Sequence, residues 1–402
     1  MDKLLPDWIE KESTQYKGKT FYKHIKTGDS QWTKPKLPDS LVEHFSISKQ
    51  RPYYKNKYTG VTQWEPYIIP RGLYWVGQSC YLDSSLFALF AGLEDTEFIK
   101  QLLTMDLDVH KDDLAFFKNL CAEDEDEDLE IRKDIQKELL KISNSITRKG
   151  DRVLDCCELR NTLARCPTTE KYYKEKQAES GGFIYYLLNM FPTSKMSKTE
   201  TIYGTHNITD SFRRLKRNKE LEITTSTRDI LNSVPIHLVG QDILLKDEYI
   251  SGEEKVLLSA TLSSISDSGM LTPTSLYTDK KYRRKISVEE IVYTPCLIFN
   301  IARQLGERDD DIIFLETEIE KEDVIMINDS RFSLCAVVMF RDRHYVSIAK
   351  MDYYWYYYND LSNQITQYNT FEDIVSESKI NPSILNPLTH GVQFYYKPRK
   401  IV

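Results

Sequence analysis

Two segments near the start of the chain echo each other. Phe21-Tyr22 is followed by Thr27-Gly28 and Gln31-Trp32, and Tyr53-Tyr54 by Thr59-Gly60 and Gln63-Trp64. The aromatic pair precedes the Trp by the same interval in both, so the repeat is about 32 residues long. Each copy reads as strand, Thr-Gly turn, strand. A strand pair of this length cannot bury a core unaided and needs a third strand with large side chains. Rings are plentiful, with 26 Tyr, 16 Phe and 5 Trp in 402 residues, more than packing alone calls for.

The repeat also stands apart in charge. Residues 1–66 hold 12 Lys/Arg against 8 Asp/Glu, a net of +4, while the whole chain carries -7, which leaves -11 for the remainder. This asymmetry places a boundary between Tyr67 and Gly72, where Pro66 and Pro70 punctuate the chain. With 41% hydrophobic residues, the remainder can bury a sizeable core. The mildly acidic balance argues against nucleic acid as a partner. The charged opening lacks the apolar run of a signal peptide, and no stretch of about 18 apolar residues occurs, so no membrane association is expected. Seven Cys without framework spacing fit a reducing compartment. The expected location is cytoplasmic or nuclear or, for a viral source, the host cytoplasm or virion.

Beyond residue 70, Leu82, Leu86, Leu89, Phe90 and Leu93 share one face of a helix starting at Ser79 or Cys80. Helical sequence continues toward residue 190, interrupted by the acidic run Glu123 to Asp128, which reads as a solvated loop. Short β-type segments follow, among them Ile236 to Val239, Leu297 to Phe299 and Leu334 to Phe340. Helices first and strands later predict an α+β domain. Cys80 stands where a Gly-containing turn enters the first helix. Backbone N–H groups and the helix dipole there predict a thiol pKa below the usual value of about 8.5. Cys80 is therefore a candidate nucleophile in need of a base, the alternative being a small core residue. Of the seven His, only His344 lies between strand-like runs with a Tyr-rich strand and an Asn-Asp pair, Asn359-Asp360, after it.

Leu5-Pro6-Asp7-Trp8, Gly18, Phe21-Tyr22, Trp32 and Pro35 resemble the WW domain, a three-stranded sheet that binds proline-rich peptides. The resemblance covers residues 4–36. A degenerate second copy spans residues 41–66, keeping Tyr53, Tyr54 and Trp64 but no initial Trp. The resemblance implies that Trp8 packs with Tyr22 and Pro35, and that Phe21 and Trp32, with Tyr53 and Trp64 in the second copy, form grooves for proline rings. A polyproline II segment is already extended, so docking it costs little ordering entropy. The alternative is that the rings only hold small sheets together.

Residues 70–402 resemble the ubiquitin-specific proteases. The segment Gly72 to Leu86 around Cys80 is similar to their Cys box, and His344 to Lys350 with Trp355 to Asp360 to their His box. Between these, Gln177 to Phe183 with Leu187-Leu188 resembles their Gln-rich helix, and Tyr293 to Asn300 the strand before the His box. The resemblance implies a papain-like fold of thumb, palm and fingers. It also implies Cys80 as nucleophile, His344 as base and then acid, Asn359 as the residue orienting the imidazole, and Asp360 assisting beside it. The implied reaction is thiol-dependent hydrolysis of peptide or isopeptide bonds after the C-terminal Gly of ubiquitin or a ubiquitin-like modifier, with no cofactor. Conjugates of such modifiers and proline-rich proteins are the expected partners.

Departures from that pattern are specific. Trp75 stands where the family places an Asn that donates to the oxyanion, a loss that typically costs about a hundredfold to a thousandfold in rate. Gln78 is the substitute candidate. Asp83 replaces a common Asn, Phe87 a Gln, and Arg343 the Gly before the His. A catalytically weak or inactive ubiquitin-binding scaffold is the alternative these changes suggest. The chain has no Cys-x-x-Cys pair, so no metal site is expected. Basic clusters at Arg213 to Arg217 and Lys280 to Lys285 read as solvated faces.

Overall fold

The structure, a computed structural model, describes residues 4–399 apart from 15, 17, 26–29, 33, 39–40, 58–59, 61, 111–120, 151, 167–178, 210–215, 233, 235, 268–274, 279–281, 306–311, 328–329 and 363. Only the backbone is described for 195–209, 216–232, 263–267, 275–278, 282–293 and 364. The Thr27-Gly28 turn, Thr59, Gln177-Ala178, Arg213 to Leu215 and Lys280-Lys281 lie outside the described residues.

The sequence repeat is a repeat in register. Strands β1 (Trp8–Glu12), β2 (Thr20–His24) and β3 (Ser30–Gln31) form one antiparallel sheet, and β4 (Leu41–Ser46), β5 (Arg51–Asn56) and β6 (Thr62–Gln63) form another. Tyr22 lies between Glu10 and Gln31, and Tyr54 between Glu43 and Gln63, so the second ring of each pair meets a Glu on one side and a Gln on the other.

Sheets this small need outside support, and the larger unit provides it. The rings against Trp8 are His24 and Tyr353, at centroid distances of 5.2 and 4.9 Å, and His24 stacks on Tyr353 at 5.2 Å. Leu41 and Tyr54 are buried in the core of the larger unit, and Asn56 Nδ2 donates to the Arg148 carbonyl at 3.1 Å.

That unit begins with α1 (Cys80–Phe87), which follows Ser79 at the N-cap position without a side-chain capping bond and is continued by a π-helical turn, Ala88–Gly92. Then come α2 (Glu97–Thr104), α3 (Glu125–Ile146), α4 (Cys157–Leu163) and α5 (Ser180–Met190). The leucine spacing predicts one buried face on α1, but all eight of its residues are buried, Asp83, Ser84 and Ser85 included. Helices α3 and α5 pack on one side of it and the central sheet on the other. At its far end, Gly92 makes close approach to the sheet possible. A Cβ there would lie 2.7 Å from the Ala336 Cβ and 3.0 Å from the Cys335 carbonyl oxygen.

The strands after α5 form two large sheets. Strands β7 (Ser194–Thr209), β8 (Lys216–Asn232), β10 (Ser275–Thr278) and β11 (Tyr282–Tyr293) pair in the order β10-β11-β7-β8. The central mixed sheet is built from β9 (Ile236–Val239), β12 (Leu297–Ile301), β15 (Val324–Ile327), β16 (Ser330–Arg341), β17 (His344–Met351), β18 (Tyr354–Asn359), β19 (Gln364–Tyr368) and β20 (Gly391–Pro398). Its order is β19-β18-β17-β16-β20-β12-β9, with β15 on β16 and one parallel pair, β12 with β9. Between β12 and β15 runs a small hairpin of β13 (Gln304–Leu305) and β14 (Ile313–Phe314). Alternation sorts the rings of the Tyr-rich strand: Tyr354, Tyr356 and Tyr358 join the core under α1, while Trp355 and Tyr357 join the core on the opposite face. The architecture is mixed α and β with two small antiparallel sheets at the N-terminus.

The acidic run corrects a sequence expectation. Instead of a solvated loop, Glu125 to Asp128 make the first turn of α3. Asp124 caps it, accepting from the N–H groups of Asp126 and Glu127, and negative charge suits the helix N-terminus. Asp128 faces inward, accepting from the Cys121 N–H at 2.7 Å and pairing with Arg132, which is fully buried and also donates to the Met190 carbonyl. The residues of this run should therefore differ sharply in thermodynamic weight. Asp128→Ala leaves Arg132 buried without that partner and should cost about 3 to 5 kcal/mol. Asp124→Ala should cost about 1 kcal/mol, and Glu127→Ala less than about 0.5 kcal/mol. Urea unfolding of the three variants measures the order.

Candidate active site

Cys80 owes its position to the turn before α1. Gly77 (φ 45°) and Gln78 (φ 58°) both take left-handed backbone, free for Gly and costing Gln of order 1 kcal/mol. Arg160 holds the turn, with Nη1 donating to the carbonyls of Val76 (3.0 Å) and Gly77 (2.7 Å). The Val76 N–H donates to Ser79 Oγ at 3.0 Å. Trp75 and Gln78 are exposed, Trp75 by 45%.

His344 opens β17 directly after a two-residue turn, Asp342-Arg343, with both residues at positive φ (51° and 63°). This is type I′ geometry, the position where a Gly is unstrained and an Arg is not. Asn359 closes β18, and the register that sets Ser347 opposite Tyr358 puts it diagonal to His344. His344 Nε2 lies 3.0 Å from Asn359 Oδ1. The Leu361 N–H donates to the same Oδ1 at 3.1 Å, which identifies it as the acceptor and makes Nε2 the protonated ring nitrogen. Nδ1 is then the basic nitrogen of the neutral ring. Asp360 Oδ1 is 3.4 Å from Nε2, and the Asp360 carboxyl is fully buried.

The structure brings Cys80 to the start of the same strand: its thiol meets the backbone N–H of Tyr345, the neighbour of His344, and helix α1 packs across β17. It is only 4% exposed. Burial pushes the thiol up to about 11, with the Asp360 and Asp83 charges adding to the rise and the N–H groups of Tyr345 and Tyr81 opposing it. The lowered thiol pKa expected from sequence is therefore overturned. Desolvation all round the helix outweighs the helix dipole.

A cavity of about 580 Å³ lies at the turn before β17, with Glu179, Glu316, Phe314, Phe340, Arg343 and Tyr345 in its wall. Its walls come from segments far apart in sequence, and motif reading missed it. Asp83 was visible only as a departure from a family pattern, yet it lies fully buried beneath Cys80 and next to Asp360. In the N-terminal sheets, Phe21 and Trp32 pair at 6.1 Å, and Tyr53 and Trp64 also at 6.1 Å, with Trp32 43% and Trp64 41% exposed. Tyr16 adds a third ring beside Trp32, while the Arg51 guanidinium sits 4.1 Å above the Trp64 ring. Among the described residues, no group of three or more His, Cys, Asp or Glu is placed to hold a metal, and no helix is long and apolar enough to cross a membrane.

No model of a known protein family matches this chain, and no curated protein matches it. Among solved structures it is similar to that of the Ubp8-Sgf11-Sgf73-Sus1 SAGA DUB module, at a TM-score of 0.37 and 11% identity, over 82% of this chain and 68% of that one. A likeness that weak does not establish a shared fold.

The chemistry of Cys80 itself is measurable without a substrate. Iodoacetamide alkylation of Cys80, followed by mass spectrometry, should keep accelerating through pH 9 toward the thiol pKa of about 11. A plateau near neutral pH would show instead a preformed thiolate–imidazolium pair.

Proposed function

We propose that this chain is a cysteine-type hydrolase that cleaves peptide or isopeptide bonds after the C-terminal Gly of ubiquitin or a ubiquitin-like modifier. The observation that carries the reading is the His344 Nε2 contact with Asn359 Oδ1, which leaves Nδ1 as base in the residue next to Tyr345, whose backbone N–H meets the Cys80 thiol. Residues 70–402 form the catalytic unit in this reading, and residues 4–36 and 41–66 are WW-like modules whose pairs Phe21 with Trp32 and Tyr53 with Trp64 dock proline-rich proteins. The free thiols among the described residues fit a reducing compartment, cytoplasmic or nuclear.

The thiol is protonated at rest, so the proton must move as the substrate reacts. His344 Nδ1 takes it from Cys80 while Sγ bonds to the carbonyl carbon after the terminal Gly. Asn359 accepts the Nε2–H throughout and keeps the ring oriented. The oxyanion meets the Cys80 N–H, in the helix turn whose N–H groups have no intrahelical partner, and the exposed Gln78 amide. His344 then gives its proton to the leaving Lys amine, and a thioester remains on Cys80. Water attacks the thioester with His344 again as base, releasing the modifier and restoring the thiol. The cavity walled by Glu179, Arg343 and Tyr345 offers room for the modifier's C-terminal tail.

A second reading, a weak or inactive modifier-binding scaffold, is favoured by the depth of Cys80 and by Trp75 in place of a polar donor. A ubiquitin probe with a C-terminal electrophile separates the two. The hydrolase reading expects labelling of the wild type that Cys80→Ala abolishes, and a loss of about 10²- to 10⁴-fold in rate for His344→Ala. Ubiquitin affinity that survives Cys80→Ala, with no labelling by ubiquitin or any ubiquitin-like probe, would establish the scaffold. Trp32→Ala should abolish binding to proline-rich peptides and leave labelling intact; unchanged binding would remove the WW assignment.

A further inference from the structure

We infer that Asp83 is a positioning residue: a buried carboxylic acid that shares one proton with Asp360 and so holds Asp360, bearing a single negative charge, against the His344 imidazole. The inference rests on the hydrolase reading for its catalytic meaning, though the shared proton itself does not.

The geometry leaves few alternatives. Asp83 is 0% exposed and Asp360 2%. Their carboxyls lie within hydrogen-bond reach of each other. Neighbouring donors are already engaged away from Asp360, two of them on Asp83 itself. Ser79 Oγ donates to Asp83 Oδ2, and Cys156 Sγ donates to Asp83 Oδ1 at 2.9 Å. The Tyr358 hydroxyl donates to the Leu73 carbonyl at 2.8 Å, and the Leu361 N–H to Asn359 Oδ1. Arg160, the nearby guanidinium, binds the Val76 and Gly77 carbonyls through Nη1. Both Asp360 oxygens are buried with no donor at full hydrogen-bond geometry, the backbone N–H groups of Leu361 and of Asp360 itself lying near enough only to favour its charge, and the imidazole at 3.4 Å is the charged partner they face.

Two carboxylates in a dry site cannot both stay ionised, so one proton must lie between them. Burial pushes Asp83 well above the usual carboxyl range, and the Asp360 charge pushes it the same way, against the bonds from Cys156 and Ser79. Asp360 is raised by burial and drawn back by His344. The proton therefore resides on Asp83 and the charge on Asp360. The other titratable groups facing the pair are Cys80 and Tyr81 on α1, Asp155, Cys156 and Arg160 at α4, Tyr358 on β18 and His344 on β17. Among these the imidazolium formed during attack is the charge that a singly negative pair complements. A doubly negative pair would repel itself and release Asp360 from its place.

Difference infrared spectroscopy of ¹³C-Asp-labelled protein at pH 7 reads the proton directly. The wild type should show a protonated carboxyl C=O band that vanishes in Asp83→Asn and also in Asp360→Asn. Asp83→Asn, whose amide can donate permanently to Asp360, should retain more turnover than Asp83→Ala, which should lose about 10- to 100-fold. No such band in the wild type, a band surviving both Asn variants, or equal rates for the Asn and Ala variants would overturn the inference. Should Asp83→Ala fail to fold, the wild-type band and its loss in Asp83→Asn decide alone. A band without probe labelling sinks the hydrolase reading and leaves the shared proton; labelling without a band does the reverse.

Discussion

Everything around the candidate site depends on the complete burial of one helix. Helix α1 is surrounded by the central sheet, α3 and α5, and Gly92 lets its continuation touch the strand backbone at Cys335. Because no face of α1 is wet, its polar groups are driven to partners inside the protein, with the Ser84 hydroxyl the exception. Ser79 and Asp83 find each other, Ser85 turns back to the Tyr81 carbonyl, and Cys156 reaches across to Asp83. The same dryness raises the Cys80 thiol pKa. Packing and chemistry here are one constraint: the helix that fixes the thiol in space also makes its ionisation costly.

A site of this kind needs its base to be fixed as firmly as its nucleophile. His344 and Asn359 stand at the two open ends of one hairpin, β17 with β18, whose register is locked by alternating rings. Tyr354, Tyr356 and Tyr358 point into the core under α1, and Trp355 and Tyr357 into the other core, so a one-residue slip would exchange both sets. The aromatic excess in this strand thus serves as a register lock that holds the Asn359 amide in range of the imidazole.

How much of this was legible in the sequence follows from what sequence patterns encode. Local periodicity and turn chemistry are short-range, so the paired sheets, the helix opening at Cys80 and the strand carrying His344 could all be read. Burial is a property of residues brought together from afar. Cys80 and Tyr345, or Asp83 and Asp360, meet only in the fold, and no spacing rule announces a desolvated thiol or facing carboxyls. The acidic run shows the same limit locally. Six consecutive acidic residues look solvated, but one of them, Asp128, points inward because Arg132 lies one turn along the same face. The papain-like arrangement implied by the motifs also goes beyond what the mixed α and β architecture establishes.

The packing of Trp8 and His24 against Tyr353 sets a timetable for synthesis. The first small sheet is made well before the ring that covers its tryptophan, which follows the whole helical region in the chain. Contacts of such sequence separation carry a large loop-closure cost and form late. The N-terminal sheet should thus leave the ribosome with its hydrophobic side uncovered, exposed to chaperones and proteases until the β17–β18 hairpin follows.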